Sequence, residues 1–123
     1  MNRKILAVDV GTTSFKMGIF DDTLSMEKIY QQNYNVDIFN GEKAEIDPEI
    51  WWNQLVEGCK SFGNELTEVG VVAFSVTTPG LVAMDKNGNA LTKAILFLDQ
   101  RSHSQASSIR KKIGETRLLE RAC

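Results

Sequence analysis

The run ILAVDV, Ile5 to Val10, carries apolar side chains on both of its faces, and VGVVAFSV, Val69 to Val76, repeats the pattern. A strand with one wet face alternates apolar and polar residues, so such runs predict strands covered on both sides. The first is expected to be central in its sheet. Ile5 to Val10 and Val69 to Ser75 are therefore predicted to be buried neighbours in one mixed sheet with a helix packed on it.

The chain between these runs supplies the other elements. FKMGIFD alternates Phe15, Met17 and Ile19 against Lys16, Gly18 and Phe20, which predicts a second strand returning antiparallel to the first. MEKIYQQNYNV is more polar and predicts a third strand nearer an edge. DPEIWWNQLVEGCKSFGNEL then changes period: Trp52, Leu55, Cys59, Phe62 and Leu66 follow at steps of three, four, three and four, one face of a helix. Asp47 can cap it, with Pro48 at the first helical position and Glu49 in the first turn. Further on, GLVAMD, the turn KNGN and ALTKAILF predict short strands. Ala106, Ile109 and Ile113 keep helical spacing from about Ser102, and Gly114 either ends that helix or kinks it. The expected order is three strands, helix, strand, a short strand pair and helix, an α/β fold. The final ETRLLERAC is a helix-forming run with no cap or polar tail, so the 123 residues are expected to be part of a longer domain.

Composition narrows the function classes. Fourteen basic and 16 acidic side chains leave a formal charge of -2 with no basic cluster, so neither a nucleic-acid nor a membrane-surface partner is expected. Cys59 and Cys123 are too few for a disulfide framework, and the apolar part of MNRKILAVDV is too short for a signal peptide. No apolar run approaches the roughly 20 residues of a membrane-spanning helix. A soluble, cytoplasmic protein is the expectation, with a homodimer left open.

The chemistry concentrates between the first two strands, where Asp9, Gly11, Thr12, Thr13, Ser14 and Lys16 fall within eight positions. Gly11 permits a tight turn and a close approach of backbone N–H groups to a ligand. Successive N–H groups in such a turn make an anion-binding nest. The three hydroxyls and the Lys16 ammonium suit phosphate oxygens. Asp9 suits Mg²⁺, which keeps several waters and needs only one or two protein carboxylates. The spacing is not that of a Walker loop or a dinucleotide fingerprint, and a strand pattern follows it. A plain Gly-Thr hairpin turn with solvated hydroxyls is the competing reading.

DVGTTSFKMGIF resembles the first phosphate motif of the sugar kinase, Hsp70 and actin ATPase superfamily, whose nucleotide domain is a ribonuclease-H-like α/β fold. That motif alone fits a sugar kinase, a chaperone, an actin-type ATPase or the ATPase activator of a radical dehydratase. Two further stretches, FSVTTPGLV and AILFLDQRS, resemble the paired substrate-side motifs of the FGGY carbohydrate kinases, the group containing xylulokinase, gluconokinase and glycerol kinase. The family typically shows a tryptophan, then an aspartate and an arginine, then Ser or Thr. Phe97, Asp99, Arg101 and Ser102 fall in step with it.

The resemblance implies an N-terminal kinase lobe, built by residues 1–123 with the C-terminal lobe absent. It implies ATP and Mg²⁺ as cofactors and a small sugar, sugar acid or polyol as the acceptor. Gly11, Thr12, Thr13, Ser14 and Lys16 would meet the ATP phosphates, Lys16 facing the transferred group, and Asp9 would hold Mg²⁺ through water. Thr78, Pro79, Phe97 and Asp99 would face the substrate. Pro79 departs from the polar or ionic residue of relatives and removes a side-chain hydrogen bond, so the particular sugar is not carried over. The general base, an aspartate in this family, is expected beyond residue 123. The isolated chain is then inactive. The rival is a non-metabolic ATPase or switch module of the same superfamily. Residue by residue there are plainer readings: Phe97 as core, Asp99 with Arg101 as a surface ion pair, Trp51 and Trp52 as one core and one half-exposed residue, Cys59 as a small hydrophobe, and His103 as solvated. No Cys/His cluster suggests zinc.

Overall fold

The computed structural model describes residues 3–122. Strands β1 (Lys4–Val10), β2 (Ser14–Phe20) and β3 (Met26–Asn33) form the predicted meander, and β6 (Val69–Val76) joins them in the order β3-β2-β1-β6. β1 runs antiparallel to β2 and parallel to β6, with Ile5 opposite Val71 and Val8 opposite Phe74, so the sheet is mixed as expected.

Helix α1 (Pro48–Phe62) starts as the sequence predicts, the Asp47 carboxylate accepting from the Glu49 N–H at 3.0 Å. Gly63, at φ 58°, ends it in a backbone region that glycine enters without steric cost, and Leu66 falls in the 3₁₀ turn that follows. The helix packs on β2 and β3. Phe62 is buried, and Leu55 and Cys59 are half-buried against Leu6, Val8, Phe15, Met17 and Ile19. Trp52 departs from the expected face and is 61% exposed. A Cβ on Gly58 would come within 2.4 Å of the Met17 sulfur, so the helix backbone lies closest to the sheet at Gly58. The inward stripe accordingly runs through Trp51, Leu55, Gly58 and Phe62, and the 100° step to Trp52 turns that indole outward.

The second correction concerns β6. It neighbours β1, yet it is not buried: Val71, Val72, Phe74 and Val76 are exposed, Phe74 at 63%. β6 is the outer strand of its sheet, α1 lies over β2 and β3, and no described element covers β6. β1 is likewise buried only on the side of Leu6 and Val8, while Ile5, Ala7 and Asp9 are half-buried.

A second sheet, absent from the sequence reading in half its strands, contains β4 (Asp37–Phe39), β5 (Lys43–Ile46), β8 (Ala94–Leu96) and β7 (Gly80–Leu81), in the order β4-β5-β8-β7. β4 and β5 escaped prediction because they are three and four residues long and mix polar with apolar side chains. Ala44, Ile46, Ala94 and Leu96 form its core, with Val36, Ile50, Trp51 and Tyr34 packed against them. Tyr34 also packs on the first core. The turn KNGN is closed by a bridge between Met84 and Ala90. Helix α2 (His103–Ile113) ends at Gly114, φ 87°, and α3 (Glu115–Ala122) begins directly after it, so the glycine is a stop and not a kink. His103 is exposed at the start of α2, and Ile109 and Ile113 remain exposed on it. No described helix is long and apolar enough to cross a membrane. Cys123 lies outside the described residues.

Candidate nucleotide and substrate site

The chain leaves β1 at Val10 and enters β2 at Ser14, and the Gly11 N–H closes the turn on the Ser14 carbonyl at 3.0 Å. A Cβ on residue 11 would lie 2.9 Å from that carbonyl oxygen, which restricts the position to glycine. Asp9 and Lys16 sit opposite each other in the β1–β2 ladder, and the ammonium lies 3.8 Å from the carboxylate with both side chains nearly half-exposed. Their charges are thus adjacent, accessible and unencumbered by burial.

From the end of β6, the Thr77 N–H donates to the Val10 carbonyl at 2.7 Å, and the Thr77 hydroxyl stands 3.2 Å from the Thr12 hydroxyl. From the other side, Tyr34 holds the turn. Its backbone N–H donates to the Thr13 carbonyl at 3.0 Å. Its hydroxyl donates to the Gly11 carbonyl, the Ser14 carbonyl lies 3.3 Å from the same oxygen, and the Trp51 indole N–H donates to it at 3.2 Å. Burial pushes the Tyr34 phenol above its ordinary pKa, opposed by the Trp51 donor and helped by the Asp9 charge, so the hydroxyl keeps its proton.

Two cavities are lined by candidate residues. Asp9 and Lys16 stand among the lining of an apolar trough of about 350 Å³ on the uncovered face of the sheet, which Ala7, Phe20, Ile29 and Phe74 floor. A second cleft, of about 590 Å³, brings together Pro79, Leu81, Phe97, Asp99, Arg101 and Ser102. Three of the four sequence-predicted substrate residues therefore share one cleft; Thr78 precedes it and does not line it. Phe97 is 48% exposed, which makes it a wall of the cleft and not core.

Asp99 is oriented tightly by the protein itself. Its side chain is only 6% exposed, and its oxygens accept from the Ala44 N–H at 3.0 Å, the Arg101 N–H at 3.0 Å and the Arg101 guanidinium at 2.7 Å. Arg101 also reaches Glu45 at 2.6 Å. The Arg101 hydrogen bonds hold the Asp99 carboxyl well below the usual carboxylate range. Charge-assisted bonds of this kind are strong, so Asp99 fastens the segment from Phe97 to Ser102 onto β5 and fixes the guanidinium beside the cleft.

Thr77 and Tyr34 belong to this constellation although the sequence reading does not single them out, and Trp51, read from sequence only as packing, joins them. Thr77 was one position from the residue that was chosen. For Tyr34 no local signal exists, because the turn carbonyls its hydroxyl meets lie 20 or more positions earlier in the chain.

Comparison with known proteins bears on the whole of this architecture. Residues 4–123 match the N-terminal domain of the FGGY family of carbohydrate kinases. The xylulose kinase of Staphylococcus xylosus is 30% identical over 118 residues, which are 94% of this chain and 24% of the relative. The gluconokinase of Bacillus subtilis is 27% identical over 126 residues, 98% of this chain and 24% of the relative. In three dimensions the xylulose kinase of Rhodospirillum rubrum superposes with a TM-score of 0.83 at 21% identity, over 95% of this chain and 25% of that one. The chain thus spans about a quarter of the length of the relatives it matches. Its α/β fold is the one found in sugar kinases, and the chain belongs to the FGGY family of carbohydrate kinases, whose N-terminal domain it matches.

Proposed function

We propose that this chain forms the N-terminal domain of a kinase that transfers a phosphoryl group from ATP to a hydroxyl of a small sugar, sugar acid or polyol, with Mg²⁺ as the metal. One observation carries the reading above the family match: Thr77 hydrogen-bonds the end of β1 at the Gly11 turn, and two residues later Pro79 lines the cleft of Phe97 and Arg101. A single strand end therefore links an anion-suited turn to a polyol-suited cleft, the adjacency that phosphoryl transfer requires.

The residues present fit the groups they would meet. Phosphate oxygens suit the N–H groups and hydroxyls of Thr12, Thr13 and Ser14, and Gly11 keeps the approach open. Lys16 lies beside Asp9 in the free protein; Asp9 would hold Mg²⁺ and Lys16 would meet phosphate, so neither charge would be left alone. Magnesium supplies neutralisation of the phosphate charge, and Asp9 would hold it through water. In the cleft, Phe97 offers an apolar wall to the carbon face of a sugar. Arg101, oriented by Asp99 and Glu45, offers N–H donors to its oxygens. The resemblance to FGGY kinases puts the base for the attacking hydroxyl beyond residue 123, and on this reading the 123 residues alone are silent.

The test is an ATP-consumption screen over pentuloses, hexuloses, sugar acids and polyols, run in parallel on the 123-residue chain and on the full-length kinase. Sugar-dependent turnover by the long protein only is the expected result. Turnover by the short chain, or sugar-independent ATP hydrolysis by the long one, overturns the proposal.

A further inference from the structure

We infer that Tyr34 is a positioning residue for nucleotide binding, holding the Gly11–Ser14 turn in its anion-receiving orientation. The inference rests on the reading that this turn takes the phosphates of ATP.

The argument is one of peptide geometry. Every peptide bond of the turn is trans, the cis bond among the described residues being Thr78–Pro79. In a trans peptide plane the C=O and the following N–H point in opposite directions. The Gly11 carbonyl is bound by the Tyr34 hydroxyl, so the Thr12 N–H of that plane is directed away from Tyr34. The Thr13 carbonyl is bound by the Tyr34 backbone N–H, so the Ser14 N–H is directed away as well. One residue thereby engages two carbonyls, which would repel phosphate, and leaves the N–H of each of those peptide planes directed away from the atom that holds its carbonyl. A nest that must first rotate its peptides on binding loses affinity by the cost of that ordering, whereas a preset one does not.

Tyr34 is itself fixed. Its ring packs between the two cores, and Trp51, in the first turns of α1, donates to its oxygen at 3.2 Å. That donor leaves the phenolic proton free to point at Gly11, since an oxygen accepting from an indole N–H has its own O–H to give. The chain Trp51–Tyr34–Gly11 thus runs from α1 to the turn, and burial keeps the phenol protonated, as the donation requires.

The experiment compares Tyr34→Phe with Tyr30→Phe in the full-length kinase. Both remove one tyrosine hydroxyl at the seam between the first sheet and α1; that of Tyr30 donates to Gln54 at 2.7 Å, away from the turn. MgADP binding is measured by calorimetry, alongside the KM for ATP, the KM for the sugar and the thermal midpoint. Tyr34→Phe is expected to weaken MgADP binding and raise the KM for ATP by about three- to tenfold, the factor one hydrogen bond is worth, with the sugar KM unchanged. Trp51→Phe should shift the same constants in the same direction by less. Tyr30→Phe should lower the thermal midpoint to a similar extent while leaving both nucleotide constants at the wild-type value. Equal nucleotide affinity in Tyr34→Phe and wild type overturns the inference alone, as does an equal loss in Tyr30→Phe. A wild-type protein that binds no MgADP overturns the phosphate reading of the turn and this inference with it.

Discussion

The hydroxyls of Thr12 and Thr77 lie 3.2 Å apart across a separation of 65 residues, joining the turn after β1 to the end of β6. This contact registers the Gly11 turn against the strand that leads into the cleft. Thr77→Val keeps the shape and removes the oxygen, leaving a part-buried Thr12 hydroxyl without that partner. We expect a loss of about 1 kcal/mol in stability, read from denaturant unfolding, together with a higher KM for ATP. Unchanged unfolding and kinetics would show that the contact couples nothing.

Asp9 faces Lys16 at 3.8 Å with both side chains solvent-accessible, an arrangement that contributes little to stability. Asp9→Asn should therefore leave the thermal midpoint of the full-length kinase almost unchanged while raising the Mg²⁺ concentration needed for half-maximal turnover. A magnesium titration identical to wild type would remove Asp9 from the metal side of the site.

Gly11 has no room for a side chain, since a Cβ would press on the Ser14 carbonyl at 2.9 Å, and that oxygen already accepts the Gly11 N–H. Gly11→Ala is expected to cost about 1–3 kcal/mol by forcing backbone apart. MgADP binding should fall more steeply than stability, because the displaced peptides are those proposed to receive phosphate. Calorimetry and a thermal melt on the same sample separate the two effects.

Gly58 gives a contrasting case. Its added Cβ would meet the Met17 sulfur at 2.4 Å, between α1 and the sheet, and Gly58 itself lines neither cavity. Gly58→Ala should destabilise by about 1–3 kcal/mol from overpacking, less if the flexible Met17 side chain moves aside. Both KM values should stay at the wild-type level. A change in nucleotide affinity without a change in stability would contradict this assignment.

Asp99 predicts a pH dependence. Arg101 lowers its carboxyl pKa in the folded state, so the unfolded chain binds the proton more readily. The contribution is fully present above the unfolded value of about 4 and is lost as pH falls below it toward the folded pKa. The thermal midpoint should therefore drop on acidification through that window, and Asp99→Asn should flatten the drop. An equal acid dependence in the variant would assign it to other carboxylates.

Much of this was legible in the chain because it is local. The period of Phe15, Met17 and Ile19 gave β2, and Asp47-Pro48-Glu49 gave the start of α1, since alternation and capping act over a few residues. The Gly11 turn was legible for the same reason: a glycine directly after an apolar strand and before a second strand states the geometry of a tight turn in sequence. Tertiary structure alone decided three things. It turned Trp52 outward and Trp51 inward, because Gly58 sets how closely α1 lies on Met17. It left β6 exposed, because an apolar run records the cover a strand is suited to, whereas the elements packed on it determine the cover it has. And it brought Tyr34 and Thr77 to Gly11 and Thr12, contacts whose partners are separated by more than any local period can encode and which exist only once β3, α1 and β6 have assembled around β1 and β2.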